Sequence, residues 1–370
     1  MKFTVNKSGF LRVLSVAQEV INNKSPISIL SNVLIQTDKD KLILKCTNST
    51  VSASTFINAD VSEEGETTVF CDKLISIISA LPEGDVEVES KDIELTIKPV
   101  DKKVKFKIKS LAADKFPEIS GFNDKGAFNV SAKDFKEMIR QTSFAVADDV
   151  NRYFLTGVYF TKHEDKPVFV ATDGRRMSFC WYSDVLPDFK PAIIPVKILS
   201  LIDKIAPAEG EFSINVTDKE FFFKGFGYEI SSLLIDGQYP AWQKVLPDML
   251  DQTITVSKKD LESAIKRTSI MTEKSGRIHL VFDENKMIVS SPDTEIGNSK
   301  EEISAVYQKA KAEVALNVTY LNDVLKVIDS NDISLDFKFN QENAVKSAIL
   351  VRAAGDEKTN YTHIVMPMSF

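Results

Sequence analysis

The chain has 370 residues, 43% of them apolar and 27% charged, with a formal net charge of −7. That is enough for two or three globular cores, and the balance excludes a disordered or fibrous chain. No apolar run approaches the ~20 residues that cross a bilayer. The start Met1-Lys2-Phe3-Thr4-Val5 lacks a signal peptide's apolar stretch, so a cytoplasmic protein is expected. The acidic total argues against indiscriminate coating of nucleic acid, but not against a basic surface confined to one face.

In chain order, a strand over Lys2 to Asn6 leads into an amphipathic helix from about Ser8 to Ile21. Turn formers follow at Asn22 to Pro26. Val33 to Gln36, Lys41 to Cys46, Ser52 to Ile57 and Thr67 to Phe70 alternate as strands. A second helix, about Asp72 to Leu81, lines up Leu74, Ile77, Ile78 and Leu81 and stops at Pro82-Glu83-Gly84. Strands Asp85 to Glu89, Ile93 to Lys98 and Val104 to Ser110 close the segment.

The order then recurs. The opening phrase at Phe3 returns at Phe128 and Ile254, 125 and 126 residues apart. Each copy has further apolar anchors, at Phe10 and Leu14, at Phe135 and Ile139, and at Leu261 and Ile265. Asn6, Ser131 and Ser257 are the expected N-caps. Second helices are predicted over Val196 to Ile205 and Val318 to Ile328. An internal repeat of this kind divides the chain into domains 1–124, 125–251 and 252–370. Each holds two helices and about eight strands, an α+β arrangement with helices packed on antiparallel sheets.

Catalytic signatures are missing. His163, His279 and His363 fall in different thirds, and the sequence has no H-E-x-x-H, P-loop or G-x-S-x-G. Cys46, Cys71 and Cys180 are too scattered for a metal site and read as buried thiols. Asp173-Gly174 and Asp236-Gly237 read as turns. No cofactor is implied, and the chain reads as one that holds something.

On a wheel of ~100° per residue, the first helices turn Phe10, Val13, Leu14 and Ala17, then Phe135, Met138, Ile139 and Thr142, then Leu261, Ala264, Ile265 and Thr268 inward. Arg12, Lys133, Arg140, Lys259, Lys266 and Arg267 lie opposite, with Lys197 and Lys204 on one second helix. The charges fit a solvated helix surface. The repeat, which would align equivalent faces on one surface, adds the reading of a face that meets phosphates without reading bases.

Several motifs then fall in order along the chain: Arg152-Tyr153-Phe154-Leu155-x-Gly157, Ala171-Thr172-Asp173-Gly174-Arg175-Arg176-Met177 and Asp236-Gly237-x-Tyr239-Pro240. Lys244-Val245-Leu246-Pro247 and the terminal Val365-Met366-Pro367-Met368 complete the set. With its triplicate period, the chain resembles the bacterial DNA polymerase III beta subunits, the sliding clamps, over its full length. The resemblance implies a head-to-tail homodimeric ring of six domains that encircles duplex DNA and gives the polymerase processivity without catalysis. Implied partners are the replicative polymerase alpha subunit, the clamp loader, and other polymerases and repair proteins bearing Leu/Phe motifs.

The resemblance also implies sites. Leu155, Thr172, Gly174, Arg175, Arg176, Met177, Pro240, Lys244 and Val245 would form a peptide pocket. The apolar end Ile364, Val365, Met366, Pro367, Met368 would complete it, with Pro367 leaving Met368 and Phe370 at the surface. Leu155, Met177, Pro240 and Val245 would make the floor, and Arg176 and Lys244 would fix the peptide's polar groups. For DNA, Lys24 matches a basic loop residue of the family and joins Arg12, Arg140, Lys197, Lys259, Lys266 and Arg267. The ring would close between Phe106, on an edge strand, and Ile270-Met271. Lys73, Lys103, Lys105, Lys107 and Lys109 would face Asp293, Glu295, Glu301 and Glu302, although alternating lysines also protect an edge from aggregation. A protein-binding repeat scaffold and a multidomain hydrolase without a recognised motif are the competing readings. The first would be monomeric and indifferent to DNA; the second would show turnover.

Overall fold

The computed structural model describes residues 1–21, 28–247, 249–339, 345–355 and 359–369. Within them, six α-helices and 25 strands follow three similar successions. The first runs β1 (Lys2–Asn6), α1 (Lys7–Val20), β2 (Asn32–Asp38), β3 (Lys41–Thr47), β4 (Val51–Asn58), β5 (Asp60–Glu63) and β6 (Gly65–Phe70). It continues through α2 (Cys71–Ala80), β7 (Asp85–Lys91), β8 (Glu94–Pro99) and β9 (Phe106–Leu111). The second has β10 (Phe128–Ser131), α3 (Ala132–Thr142), β11 (Gly157–His163), β12 (Lys166–Thr172) and β13 (Arg176–Trp181). β14 (Ala192–Pro195), α4 (Val196–Ile205), β15 (Glu211–Val216), β16 (Glu220–Gly225) and β17 (Tyr228–Leu233) complete it. The third has β18 (Gln252–Ser257), α5 (Lys258–Thr268), β19 (Arg277–Asp283), β20 (Lys286–Ser290) and β21 (Lys300–Val306). β22 (Ala312–Asn317), α6 (Val318–Val327), β23 (Asp332–Phe337), β24 (Ile349–Ala353) and β25 (Tyr361–Val365) end the chain.

Helix starts follow the expected chemistry. Asn6 accepts hydrogen bonds from the Ser8 and Gly9 amides, and Ser257 accepts one from Asp260. The apolar faces read from α1, α3 and α5 are all buried, as is that of α2. On α4, Ile198, Leu199, Leu201 and Ile202 are buried, while Ile205 is half-buried. One contact was not legible in the sequence. Lys7 and Lys258, each the first residue of its helix, donate from Nζ to Leu81 O (2.6 Å) and Ile328 O (2.6 Å). Those carbonyls lie just beyond α2 and α6, where orphan oxygens and the helix dipole favour a cation. The middle repeat has Ala132 at this place.

Contacts divide the chain into two compact units, Met1–Lys133 with Lys197–Leu234, and Asp134–Val196 with Ile235–Phe370. The first holds a 13-stranded sheet, β10-β15-β16-β17-β4-β3-β2-β6-β9-β8-β7-β1-β5. The second holds a 12-stranded sheet, β14-β11-β12-β13-β25-β24-β23-β18-β21-β20-β19-β22. Strand pairing therefore continues from one repeat into the next, through β4 with β17 and through β13 with β25. β5 and the late start of β9 differ from the sequence expectation: regular pairing begins only at Phe106, so Lys103 and Lys105 precede the strand. All three cysteines are free and buried, and burial raises their thiols.

The pairing of β13 with β25 encloses a polar chain. Gln141 Nε2 donates to Glu137 Oε1 (2.7 Å) and Val327 O (2.9 Å), which directs its Oε1 at His363 Nε2 (3.0 Å). His363 Nε2 must therefore carry the proton, and Nδ1 accepts from Ser178 Oγ (3.0 Å). Burial, aided by the Arg140 charge, lowers the ring's pKa to about 3, so the folded chain holds it neutral. Below its ordinary value near 6.5 the unfolded chain gains a proton that the folded chain refuses. Stability from this group is therefore lost as pH falls from there toward 3, at roughly 1.4 kcal/mol per pH unit. Between pH 7 and 5, urea unfolding of the parent chain should lose about 2 kcal/mol more than that of His363→Asn. Equal losses would show that His363 titrates normally.

Candidate partner-binding site

The second unit gathers the residues singled out around the turn from β12 to β13. Gly174 has φ +85°, and the Asp173 carboxylate accepts the Arg175 (2.8 Å) and Arg176 (2.9 Å) amides. Thr172 Oγ1 donates to Arg176 O (2.6 Å) and accepts from Gly174 N (3.0 Å). A Cβ on Gly174 would stand 3.0 Å from an Arg152 nitrogen, and that guanidinium donates to Asp173 O at 2.7 Å. Arg152 opens the R-Y-F-L motif, so two of the sequence motifs clamp one another. Gly157 ends the same motif because no side chain fits there: a Cβ would lie 2.7 Å from Ile194 O.

β25 lies against β13 with Arg176 opposite Val365 and Cys180 opposite Tyr361. Beyond the strand, Met366 N still donates to Arg175 O (2.9 Å), which holds the C-terminal run beside the turn. Leu155, Met177, Trp242, Tyr239 and Ile364 form one buried cluster, with Met366 half-buried against it. Tyr239 stacks on Tyr159 at 4.6 Å, and burial pushes its phenol well above the ordinary value. Gly174, Arg175, Pro240, Lys244 and Val245 are exposed around this floor. The arrangement offers apolar side-chain seats beside exposed polar groups and a turn fixed by its own hydrogen bonds. Such a surface can hold a short peptide.

Three expectations need correction. Ile364 and Val365 are fully buried in the sheet, because both faces of β25 are covered. Met368 is not free at the surface: it is half-buried, and its amide donates to Ala315 O at 2.8 Å. Pro367 ends the strand, but the chain then bridges to β22. Phe370 lies outside the described residues. Arg176, expected to grip a peptide, is spent inside the protein on Asp323 Oδ2 (2.7 Å), Phe144 O (2.6 Å) and Asp173 (3.2 Å), and it faces the rings of Tyr320 and Phe144. Burial alone would raise the Asp323 carboxyl, but hydrogen bonds from Arg176 and Lys326 outweigh it and hold it below its ordinary range. Phe144, Tyr320, Asp323 and Trp242 are supporting residues that the sequence did not single out, and Arg152 stood there only as part of a motif. Their roles depend on partners brought together only by folding.

Three family models match in succession: the DNA polymerase III beta subunit N-terminal domain over residues 1–120, the central domain over 129–241 and the C-terminal domain over 243–369. The chain belongs to the DNA polymerase III beta subunit family. The beta sliding clamp of Treponema pallidum is 34% identical, covering 100% of this chain and 99% of the relative. That of Pseudomonas aeruginosa is 28% identical, with both chains fully covered. A crystal structure of the Pseudomonas aeruginosa clamp bound to griselimycin matches with a TM-score of 0.93 and 26% identity over all of both chains. This beta subunit is thus a replication clamp, built of three α+β clamp domains, that tethers its partners.

The clamp's other predicted residues are more engaged than their sequence pattern showed. Arg140 pairs with Glu137 and with Asp329 (3.0 Å), and Arg267 pairs with Glu301. Lys197 donates to Val20 O (3.1 Å) at the end of α1. Arg12, Lys259 and Lys266 are exposed and have no side-chain partner among the described residues; Lys24 lies outside those residues. β9 is not a simple edge strand: it lies between β6 and β8. It pairs with β6 only at Ser110 and Leu111, so Phe106 to Lys109 have β8 alone. In the other unit, β21 has β20 alone over Lys300 to Ser304, before Ala305 and Val306 meet β18. Ile270 is 78% exposed and Met271 half-buried, while Lys73, Lys103, Lys105 and Lys107 are exposed. Glu302 pairs with Lys286 at 3.1 Å.

Proposed function

We propose that this chain acts in the cytoplasm as a head-to-tail homodimeric ring around duplex DNA, and that it docks partners through the turn and C-terminal run at β13 and β25. The observation that supports this reading is that Leu155, Met177, Tyr239, Trp242 and Ile364, from distant stretches of a sliding-clamp chain, form one cluster with Met366 half-buried against it. The replicative polymerase alpha subunit, the clamp loader and repair proteins would compete there with Leu/Phe segments. The adaptable, half-buried Met366 suits a site with several clients. Lys244 and Arg175 take the polar contacts, since Arg176 is committed internally. The ring holds and does not catalyse. Deleting Met366 to Phe370 should weaken a Leu/Phe clamp-binding peptide by at least about a hundredfold in calorimetry, while the dimer persists. Unchanged affinity would put the site on another surface.

The half-open strands β9 and β21 support the closure. Each offers unpaired backbone groups beside one neighbour, one edge rich in lysine and the other carrying Glu301 and Glu302. Head-to-tail pairing of unlike edges makes a heterologous contact. The apolar seam would be Phe106 with Ile270 and Met271. Replacing Ile270 and Met271 together by Ala should yield monomers by light scattering at micromolar concentration. A dimer of undiminished stability would rule the seam out.

For DNA, Arg12, Lys259 and Lys266 carry the proposal, with the acid-paired Arg140 and Arg267 adding little net field and Lys197 and Lys24 adding their charge. Few free cations suit weak, sequence-independent attraction. Replacing Lys259 and Lys266 by Ala should flatten the slope of log K against log salt by about one per contact removed. An unaltered slope would exclude them as phosphate contacts.

A further inference from the structure

We infer that the first unit carries a second docking groove, on the outer face of β3, β4 and β17, for an acidic segment of a partner protein bearing one bulky apolar side chain. Along β3 and β4, Leu42, Leu44, Val51 and Ala53 point into the core, which places Lys41, Ile43, Lys45, Ser54 and Phe56 on the opposite face. A cavity of about 650 Å³ lies over that face, walled by Ile119-Ser120-Gly121 and by the turn between β16 and β17. Phe56 and Phe226 are 48% and 40% exposed, both in this one cavity. Single exposed apolar residues are ordinary, but two aromatics in one concave patch point to a ligand.

The turn adds an independent observation. Phe226 and Gly227 have φ of +54° and +83° and close the hairpin in which Gly225 pairs with Tyr228. Two-residue turns of this hand favour Asn-Gly or Asp-Gly, because a left-handed conformation opposes larger side chains. A phenylalanine is held here against that preference. Its ring meets Phe212 edge-on at 6.4 Å, yet much of it faces the cavity. Strain of this kind collects at ligand sites.

Charge sets the partner's chemistry. Lys224 is taken by Glu229 at 3.1 Å. Lys41 lies 5.0 Å from the Phe56 ring centroid, and neither it nor Lys45 has a carboxylate partner among the described residues. The cavity lining thus sets Lys41, Lys45 and Lys224 against Asp38 and Glu229, the last of these being paired with Lys224. Nucleic acid would want a longer row of cations and no carboxylate, whereas an acidic segment with an aromatic anchor matches floor and wall together.

The probe is a fluorescein-labelled peptide with one tryptophan between two pairs of acidic residues, followed by anisotropy on the full chain. Lys41→Glu with Lys45→Glu should weaken it by at least about tenfold, and Phe56→Ala should weaken it as well. Truncation before Met366 should leave it unchanged, which separates this groove from the C-terminal site. Four results would each overturn the inference: no saturable binding below about 1 mM, equal affinity in the lysine double variant, loss of binding on the truncation, or displacement by a single-stranded oligonucleotide.

Discussion

The pairing of β13 with β25 is the contact on which the binding surface depends. It joins Ser178 to His363 across 185 residues of sequence and fixes every later position by backbone geometry. Because Arg176 stands opposite Val365, Met366 falls beside Arg175 and the C-terminal run meets the Thr172 to Met177 turn. A slip of one residue would bring Ile364 or Thr362 opposite Ser178 in place of His363 and undo the hydrogen bonds of Ser178 and Gln141 to its ring. Each stranded group would cost about 1–3 kcal/mol. The register is thus fixed by polar satisfaction at one point, and the apolar floor follows from it.

Electrostatics in this chain is largely internal. Arg140, Arg176, Arg267, Lys7 and Lys258 all lie beside carboxylates of the same chain, and Lys7, Lys197 and Lys258 also cap helix-end carbonyls. An ion pair at the surface contributes little to stability, but it lowers the field felt by a distant phosphate. A protein meant to move along DNA benefits from that economy, since tight phosphate contacts would hold it in place. The same economy explains how basic helix faces coexist with a net charge of −7.

What the sequence made legible was local or periodic. Anchor spacing revealed the repeat and the inward faces of α1, α3 and α5, and Asn6 and Ser257 announced their helices as caps. The family motifs brought Leu155, Met177, Tyr239 and Met366 to attention, although they cluster only after folding. What stayed hidden depends on partners far along the chain. Arg176 looks like a free ligand-binding arginine until Asp323 and Phe144 O are beside it. Met368 looks like a loose end until Ala315 takes its amide. The lysines before and within β9 alternate as an edge would, yet β6 covers the strand's far end. Whether a charge is spent, and which edge is open, are properties of tertiary pairing that no local pattern encodes.

Three similar repeats also create a hazard, because equivalent strands could pair in the wrong combination. β4 meets β17 and β13 meets β25 through comparable registers, but the matching third pairs differ: Ala53 with Ile230, and Ser178 with His363. If β25 took the place of β17, His363 would sit against Ala53 with no hydroxyl to donate to it. If β17 took the place of β25, Ile230 would leave Ser178 and Gln141 unanswered. Either exchange buries unsatisfied polar atoms, whereas the observed pairing satisfies all of them. One polar pair and one apolar pair, at otherwise similar junctions, distinguish the correct assembly of repeats from its alternatives. The buried histidine therefore contributes to the uniqueness of the fold as well as to its stability.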